Sequence, residues 1–196
     1  MTFLISGLGT AVPRELIMQD DAARLAIELA GASCTHAPAM QTLYRKTGVQ
    51  KRHSALITTS TNGQPATQSF FPVATAPTDR GPTTQTRMRE YESAALDLAT
   101  QAAVAAMKNS GTSSNQIADL VTVSCTGFHA PGVDIGLIDR LSLKRDVTRT
   151  HIGYMGCHGA LNGLRIASAL SRAHTGSKVL VCCVELCSLH HQYDAD

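Results

Sequence analysis

The amino-acid sequence predicts an α/β protein in which helices cover both faces of a mostly parallel sheet. Strand patterns alternate along the chain with helical patterns, and this alternation is typical of parallel sheets. The segments 120–125 and 178–186 are apolar along nearly their whole length, as strands buried on both faces are. Between 148 and 186 the chain has the pattern of a strand, a tight glycine turn, a helix and a second strand.

The first half of the chain is predicted to be mainly helical. Apolar residues recur at helical spacing in three segments, and Pro38 lies in a first turn, where proline is tolerated. Residues 58–86 hold four of the seven prolines, so no regular element is expected there. The predicted elements are a central strand over 3–9, helices over 18–30 and 38–46, and a long helix from 86 that Gly111 ends.

The second half is predicted to supply the parallel sheet. A strand over 120–125 precedes a helix over 133–141, and a strand over 148–152 precedes a helix over 157–174. The helix over 157–174 is apolar on opposite sides, which predicts burial all round. Sites in such sheets form beyond the carboxyl ends of the strands. The loop residues 125–132 and 153–157 both lie there, and they are the candidate site.

Cys157 stands at the start of the last predicted helix. Unpaired backbone N–H groups and the helix dipole favour negative charge at a helix start, so a thiolate is stabilised there. Thiolates in such positions act as nucleophiles, and the preceding glycines allow a ligand to approach the backbone. The alternative is that Cys157 is a small core residue, which is the commoner role of a cysteine.

Composition excludes several classes of protein. A chain of 196 residues with 43% hydrophobic residues suits one globular domain or part of a larger one. The net charge of +2 includes no basic run of the kind that binds nucleic acid, so no nucleic-acid partner is expected. No apolar run approaches the ~20 residues of a membrane span, and the N-terminus lacks a basic start. A cytoplasmic protein without a membrane partner is expected.

The six cysteines are predicted to be reduced thiols, because no secretory signal precedes them. Cys183, Cys187, His190 and His191 have the residue types of a zinc site. Adjacent residues of a strand point to opposite faces, however, so the Cys182–Cys183 pair does not suit a shared site. No metal is therefore assigned.

A basic segment lies at 46–53. Lys46, Lys51, Arg52 and His53 are close in sequence, which suits the phosphates of a coenzyme such as coenzyme A. The alternative is a solvated basic surface, which is the commoner role of such a cluster.

Five segments resemble the chalcone and stilbene synthase family, the type III polyketide synthases, and most closely its bacterial members. They occur in the order of the family and span nearly the whole chain. The segments are KTGVQKRH (46–53), TRMREYESAALDLATQAAVAAM (86–107), VTVSCTGFHAPGVD (121–134), YMGCHGALNGLRIA (154–167) and KVLVCCVELCSLH (178–190).

The resemblance implies the layered thiolase-like α/β fold. Residues 1–196 would form the N-terminal domain of the family, most of the first half of that fold, and would end before a C-terminal domain. A homodimer is implied for the full-length protein.

The resemblance also implies a reaction and a set of site residues. Cys157 would accept a starter acyl group from acyl-CoA as a thioester, and the complete enzyme would then condense it with malonyl-CoA after decarboxylation. Both coenzyme A esters are substrates, and no cofactor is implied. Lys46 would contact the phosphates of coenzyme A, and Cys125, Thr126 and Phe128 would line the cavity of Cys157.

Two alternatives stay open from the sequence. The first is a ketoacyl-synthase III of fatty-acid synthesis, which also loads a cysteine. The second is a non-catalytic fragment, or a half that works only with a second polypeptide. The histidine and asparagine that the family uses on malonyl-CoA have no counterpart in these 196 residues. The chain alone is therefore expected to be incompetent for condensation.

Overall fold

The computed structural model describes residues 3–31, 37–58, 66–174 and 176–193. These residues divide into two compact units. One lies within Met1–Ala11 and Met88–Leu186, and the other lies within Val12–Arg87 and Cys187–Asp196. Each unit has its own elements and is described by itself.

The first unit contains a three-stranded parallel sheet. Its central strand is β3, Ile117–Ser124, whose residues are buried along nearly its whole length. The neighbours are β4, Thr148–Gly153, on one side and β5, Lys178–Cys183, on the other. The expected parallel sheet is confirmed, although β5 ends three residues before the predicted end at 186.

Helices lie on both faces of this sheet, as the sequence predicts. Helix α5, Gly159–Ala173, packs against Val123 and Val181 on one face. Helix α3, Thr84–Ser110, lies on the other face, where the thiol of Cys182 approaches the carbonyl of Ala99 at 3.8 Å. A shorter helix, α4 (Val133–Arg140), packs against β3.

Helix α5 is not buried all round. Its buried residues are Gly159, Gly163 and Ala167, all small and all on the side that faces the sheet. Leu161 on another side is 53% exposed. Small residues on one side bring the helix backbone close to the strands, and the apolar residues on the opposite side have no wall of described residues to bury them.

The strand expected over 3–9 is absent among the described residues. The segment instead runs along α3, where a side chain at Gly7 would place its Cβ 2.4 Å from the carbonyl oxygen of Ala106. Leu4 and Leu8 are 81% and 73% exposed. An apolar segment becomes a strand only when a neighbouring strand accepts and donates its backbone hydrogen bonds, and no described strand does so here.

The second unit contains a two-stranded antiparallel sheet of β1, Leu16–Met18, and β2, Lys51–His53. Helices α1 (Gln19–Ala30) and α2 (Ala37–Lys46) agree with the predicted helices to within one residue at each end. Residues 66–83 contain neither a helix nor a strand beyond one isolated bridge, as their prolines predict. No helix in the described part of the chain combines the length and apolarity needed to cross a membrane.

Candidate functional site

Cys157 lies on a turn between β4 and α5, at the carboxyl edge of the parallel sheet. The turn uses two left-handed residues, Tyr154 at φ 59° and Gly156 at φ 61°, followed by a 3-10 segment over Gly156–His158. The α-helix itself begins at Gly159, two residues later than predicted. Cys157 is exposed, so a substrate can reach its sulfur. The alternative, in which Cys157 is a small residue of the buried core, is therefore wrong.

Two glycines of α5 determine how closely this turn approaches the sheet. A Cβ at Gly159 would lie 2.9 Å from Cγ1 of Val123, and a Cβ at Gly163 would lie 3.1 Å from Cγ2 of the same valine. A side chain at either position would force Val123 or the helix to shift. The start of α5 is thereby held against the end of β3.

Cys125 follows β3 directly and lies beside the turn of Cys157. Its Sγ is 3.4 Å from the carbonyl oxygen of Gly156, and the thiol is partly exposed. The structure thus brings together the two loops that the sequence places at the carboxyl edge.

The hydroxyl group of Thr126 is engaged with the protein itself. It donates to Oε2 of Glu185 at 2.6 Å and accepts from the backbone N–H of Leu186 at 2.8 Å. A threonine hydroxyl has a single proton to donate, and here the proton goes to Glu185. Thr126 therefore holds the loop in place through its hydroxyl group, and its expected place in the lining of the Cys157 cavity stays a prediction.

Glu185 is a residue of this region that the sequence analysis did not single out. Its carboxylate also accepts the backbone N–H of Cys125 at 2.9 Å and that of Thr126 at 3.0 Å. These charge-assisted bonds join the end of β3 to the chain after β5. A carboxylate near the end of the apolar segment 178–186 was the signal in the sequence.

Phe128 belongs to an exposed apolar patch beside Cys157. Phe128 is 54% exposed, and its ring meets that of Tyr154 edge to face at 6.2 Å between centroids. Met155, next along the turn, is 49% exposed. Tyr154 and Met155 are part of this patch, although the sequence analysis passed over both.

The basic segment 46–53 lies in the second unit and is only partly available to a ligand. Arg52 donates to Gln19 at 2.8 Å and covers the ring of Tyr44, and Nδ1 of His53 lies 2.8 Å from the carbonyl of Pro13. Lys46, the last residue of α2, has an exposed side chain. Of the four basic groups in the expected cluster, Lys46 and Lys51 are therefore available to bind a phosphate, whereas Arg52 and His53 contact the protein itself.

The remaining cysteines differ in burial. Burial raises the pKa of Cys182 to about 12. The pKa of Cys183 is also raised, first because neighbouring protein atoms partly exclude water around its exposed side chain and then because of the charge of Glu185. Cys182 is buried whereas Cys183 is exposed, so the two point to opposite faces as predicted. Cys34 lies outside the described residues. Within the described ranges, no three histidine, cysteine or acidic side chains come together as a metal site.

Comparison with protein families identifies a match over almost the whole chain. Residues 2–194 match the family described as chalcone and stilbene synthases, N-terminal domain. An alpha-pyrone synthesis polyketide synthase-like protein of Mycobacterium tuberculosis is 31% identical over 193 residues, which are 98% of this chain and 46% of the relative.

Solved structures have the same architecture. The crystal structure of PKS-I from the brown alga Ectocarpus siliculosus superposes with a TM-score of 0.84 at 30% identity, over 98% of this chain and 50% of that one. The C-terminal type III polyketide synthase domain of Steely1 from Dictyostelium superposes with a TM-score of 0.75 at 26% identity, with the same coverage of 98% and 50%. The chain spans about half the length of the relatives that it matches.

Proposed function

Because the chain belongs to the chalcone and stilbene synthase family, we propose that it carries the acyl-loading step of a type III polyketide synthase, with Cys157 as the nucleophile. The observation that carries the proposal is the place of Cys157. It is exposed at the carboxyl edge of a parallel sheet, on a turn that leads into the 15-residue helix α5. The fold supplies the nucleophile there with the positive end of a helix dipole.

The proposed step is a thioester exchange. The thiolate of Cys157 attacks the carbonyl carbon of acyl-CoA and forms a tetrahedral intermediate. The bond from that carbon to the coenzyme A sulfur then breaks, and the departing thiolate takes up a proton from solvent. The acyl group stays on Cys157 as a new thioester, and no redox change occurs.

The surroundings of Cys157 support proposals for the other residues. Phe128 and the half-buried Cys125 flank the turn and are proposed to contact the acyl group. Lys46 is proposed to bind the phosphates of coenzyme A, because its ammonium group is exposed at the end of α2. Thr126 is proposed to act through its bonds to Glu185 and Leu186, rather than by direct contact.

Mass spectrometry after incubation with an acyl-CoA tests the loading step. We expect one acyl group on the peptide that contains Cys157 and an equal amount of released coenzyme A. Cys157→Ala should abolish the adduct, and Cys183→Ala, which removes another exposed thiol of the same unit, should leave it unchanged. An adduct that persists in Cys157→Ala would rule out the nucleophile.

We further propose that the complete enzyme extends this acyl group with malonyl-CoA, as a cytoplasmic homodimer. The resemblance assigns decarboxylation to a histidine and an asparagine that have no counterpart in these 196 residues. Loss of one stabilising donor typically costs about 10²- to 10³-fold in rate. The 196 residues alone are therefore expected to load slowly and to release no polyketide, and extended product from them would contradict this division of the reaction.

A further inference from the structure

The loop that carries Cys125, residues 124–128, rests on a tyrosine of helix α3. Tyr91 is 2% exposed, and its hydroxyl donates to Oγ of Ser124 at 2.7 Å. Ser124 is the last residue of β3 and is itself 3% exposed. Both partners of this hydrogen bond are therefore buried, and the bond lies at the first residue of the loop.

The ring of Tyr91 makes a second contact with the same loop. A side chain at Gly127 would place its Cβ 2.1 Å from Cγ of Tyr91, so the backbone of the loop lies flat on the ring. Such an approach requires glycine. The phenol is protonated near neutral pH, as an ordinary tyrosine is, and burial raises its pKa further, to about 12.

The loop in turn touches the turn of the nucleophile. Sγ of Cys125 lies 3.4 Å from the carbonyl oxygen of Gly156, the residue before Cys157, and 4.0 Å from where a Cβ of Gly159 would stand. A continuous set of contacts thus runs from Tyr91 through Ser124 and Cys125 to the backbone at Cys157.

We propose that Tyr91 is a positioning residue for the reaction at Cys157: it holds the 124–128 loop, and through Cys125 the turn of the nucleophile, in the geometry that acyl loading requires. This inference rests on the proposed function. Tyr91 touches no reacting atom, and its effect is exerted by the loop. The position of the loop matters because a small displacement of the reacting groups has a large effect on the reaction rate.

Tyr91→Phe tests the proposal in the full-length protein, because it keeps the ring and removes only the hydroxyl group. We expect the loading rate at saturating acyl-CoA to fall about fivefold, the effect of one net hydrogen bond, with little change in KM. We also expect Cys125 to react several times faster with N-ethylmaleimide, since the loop is less firmly held. Ser124→Ala removes the other partner of the same bond and should have the same effects.

Tyr193→Phe is the matched control. It also deletes a hydroxyl from a buried tyrosine, in this case one that donates to the carbonyl of Pro72 in the second unit. It should leave both the loading rate and the labelling of Cys125 unchanged. The double variant Tyr91→Phe/Ser124→Ala should lose no more than either single variant, because the two residues share one bond.

The proposal is overturned if Tyr91→Phe and Ser124→Ala both load and label like the wild type, or if Tyr193→Phe loses as much as they do. The labelling of Cys125 requires no acyl-CoA. If the wild type fails to load, the proposed function fails, and the labelling rates still decide whether Tyr91 holds the loop.

Discussion

At the scale of single residues, the cysteines of the described chain are distinguished by their surroundings. Cys157 is exposed at the start of a helix, whereas Cys182 is buried against α3 and burial raises its pKa to about 12. A thiol of that pKa is about 10⁻⁵ thiolate near neutral pH, and the thiolate is the reactive form. The pKa of Cys183 is also raised, so the thiolate fraction of that exposed thiol is lowered as well.

We therefore expect Cys157 to be the first thiol alkylated by brief treatment with iodoacetamide at neutral pH. Cys182 should react only after unfolding. Peptide mapping by mass spectrometry measures the order of labelling. Earlier labelling of Cys34 or Cys187 would refute the prediction, because both lie outside the turn that is proposed to activate the thiol.

Lys46 permits a second test at this scale. Lys46→Glu reverses an exposed charge at the end of α2 and should weaken binding of coenzyme A esters by roughly tenfold, about 1.4 kcal/mol. Cys157 should keep its reactivity with iodoacetamide. Isothermal titration measures the affinity, and Lys108→Glu, an equal reversal of an exposed charge in the last turn of α3, is the control. Unchanged affinity in Lys46→Glu would remove this lysine from the site.

At the scale of elements, the close packing of α5 on the sheet positions the turn of Cys157. Gly163 faces both Val123 and Val181, and a Cβ there would lie 3.1 and 3.2 Å from their methyl groups. A larger residue must push the helix away from the strands, and overpacking of this kind costs about 1–3 kcal/mol.

Gly163→Val should therefore lower the free energy of unfolding by about 1–3 kcal/mol, as measured by urea denaturation. Ala169→Val places the same side chain on the exposed side of α5 and should cost less than about 1 kcal/mol. The cost of Gly163→Val should shrink when Val123→Ala removes the opposing methyl groups. Equal losses in the two single variants would show that the helix has room at Gly163.

At the scale of the whole molecule, the second unit joins residues that are far apart in the sequence through a buried arginine. Arg87 is 7% exposed and donates to the carbonyls of Pro82 at 2.8 Å, Arg80 at 3.0 Å and Leu189. Its guanidinium also lies 5.2 Å from the ring of Phe71. These bonds hold the residues after β5 to the segment before α3.

His191 makes the stability of this unit depend on pH. Burial, and then the charge of Arg87, lower the pKa of His191 below its ordinary value of 6.5. As the pH falls, His191 therefore binds a proton at a higher pH in the unfolded chain than in the folded chain. The stability that the neutral ring provides is fully present above about pH 6.5 and is lost as the pH falls through the lower, folded pKa.

We expect the free energy of unfolding to decrease as the pH falls below about 6.5, and His191→Phe to flatten that decrease. Phenylalanine keeps the edge-to-face packing on Phe71, where the ring centroids are 5.4 Å apart. The backbone N–H groups of Gly81 and Thr75 lower the pKa of Asp79. Asp79 therefore affects stability only below about pH 3.8, which is outside the pH range in which His191 acts. A wild-type profile equal to that of His191→Phe would contradict the role of the histidine.

The residues of the candidate site were only partly predictable. A glycine turn before a helix is visible in the sequence and points to Cys157, and strand order places Cys125 at the same edge. Other contacts join residues that are distant in the sequence. Thr126 and Glu185 are 59 positions apart, and Tyr91 and Gly127 are 36 positions apart. No local pattern encodes contacts of that kind, so the bond from the hydroxyl group of Thr126 to Glu185 was not predictable from the sequence.

The sequence by itself determined the elements whose signal is local. The spacing of apolar residues and the helix-ending glycines place α1, α2 and α3, and the apolar run of β3 predicts a buried parallel strand. The tertiary structure decided what depends on distant neighbours. Residues 3–9 are apolar and yet form no strand, since a strand exists only through hydrogen bonds to another strand. Which side of α5 is buried was likewise decided by the strands against which it packs.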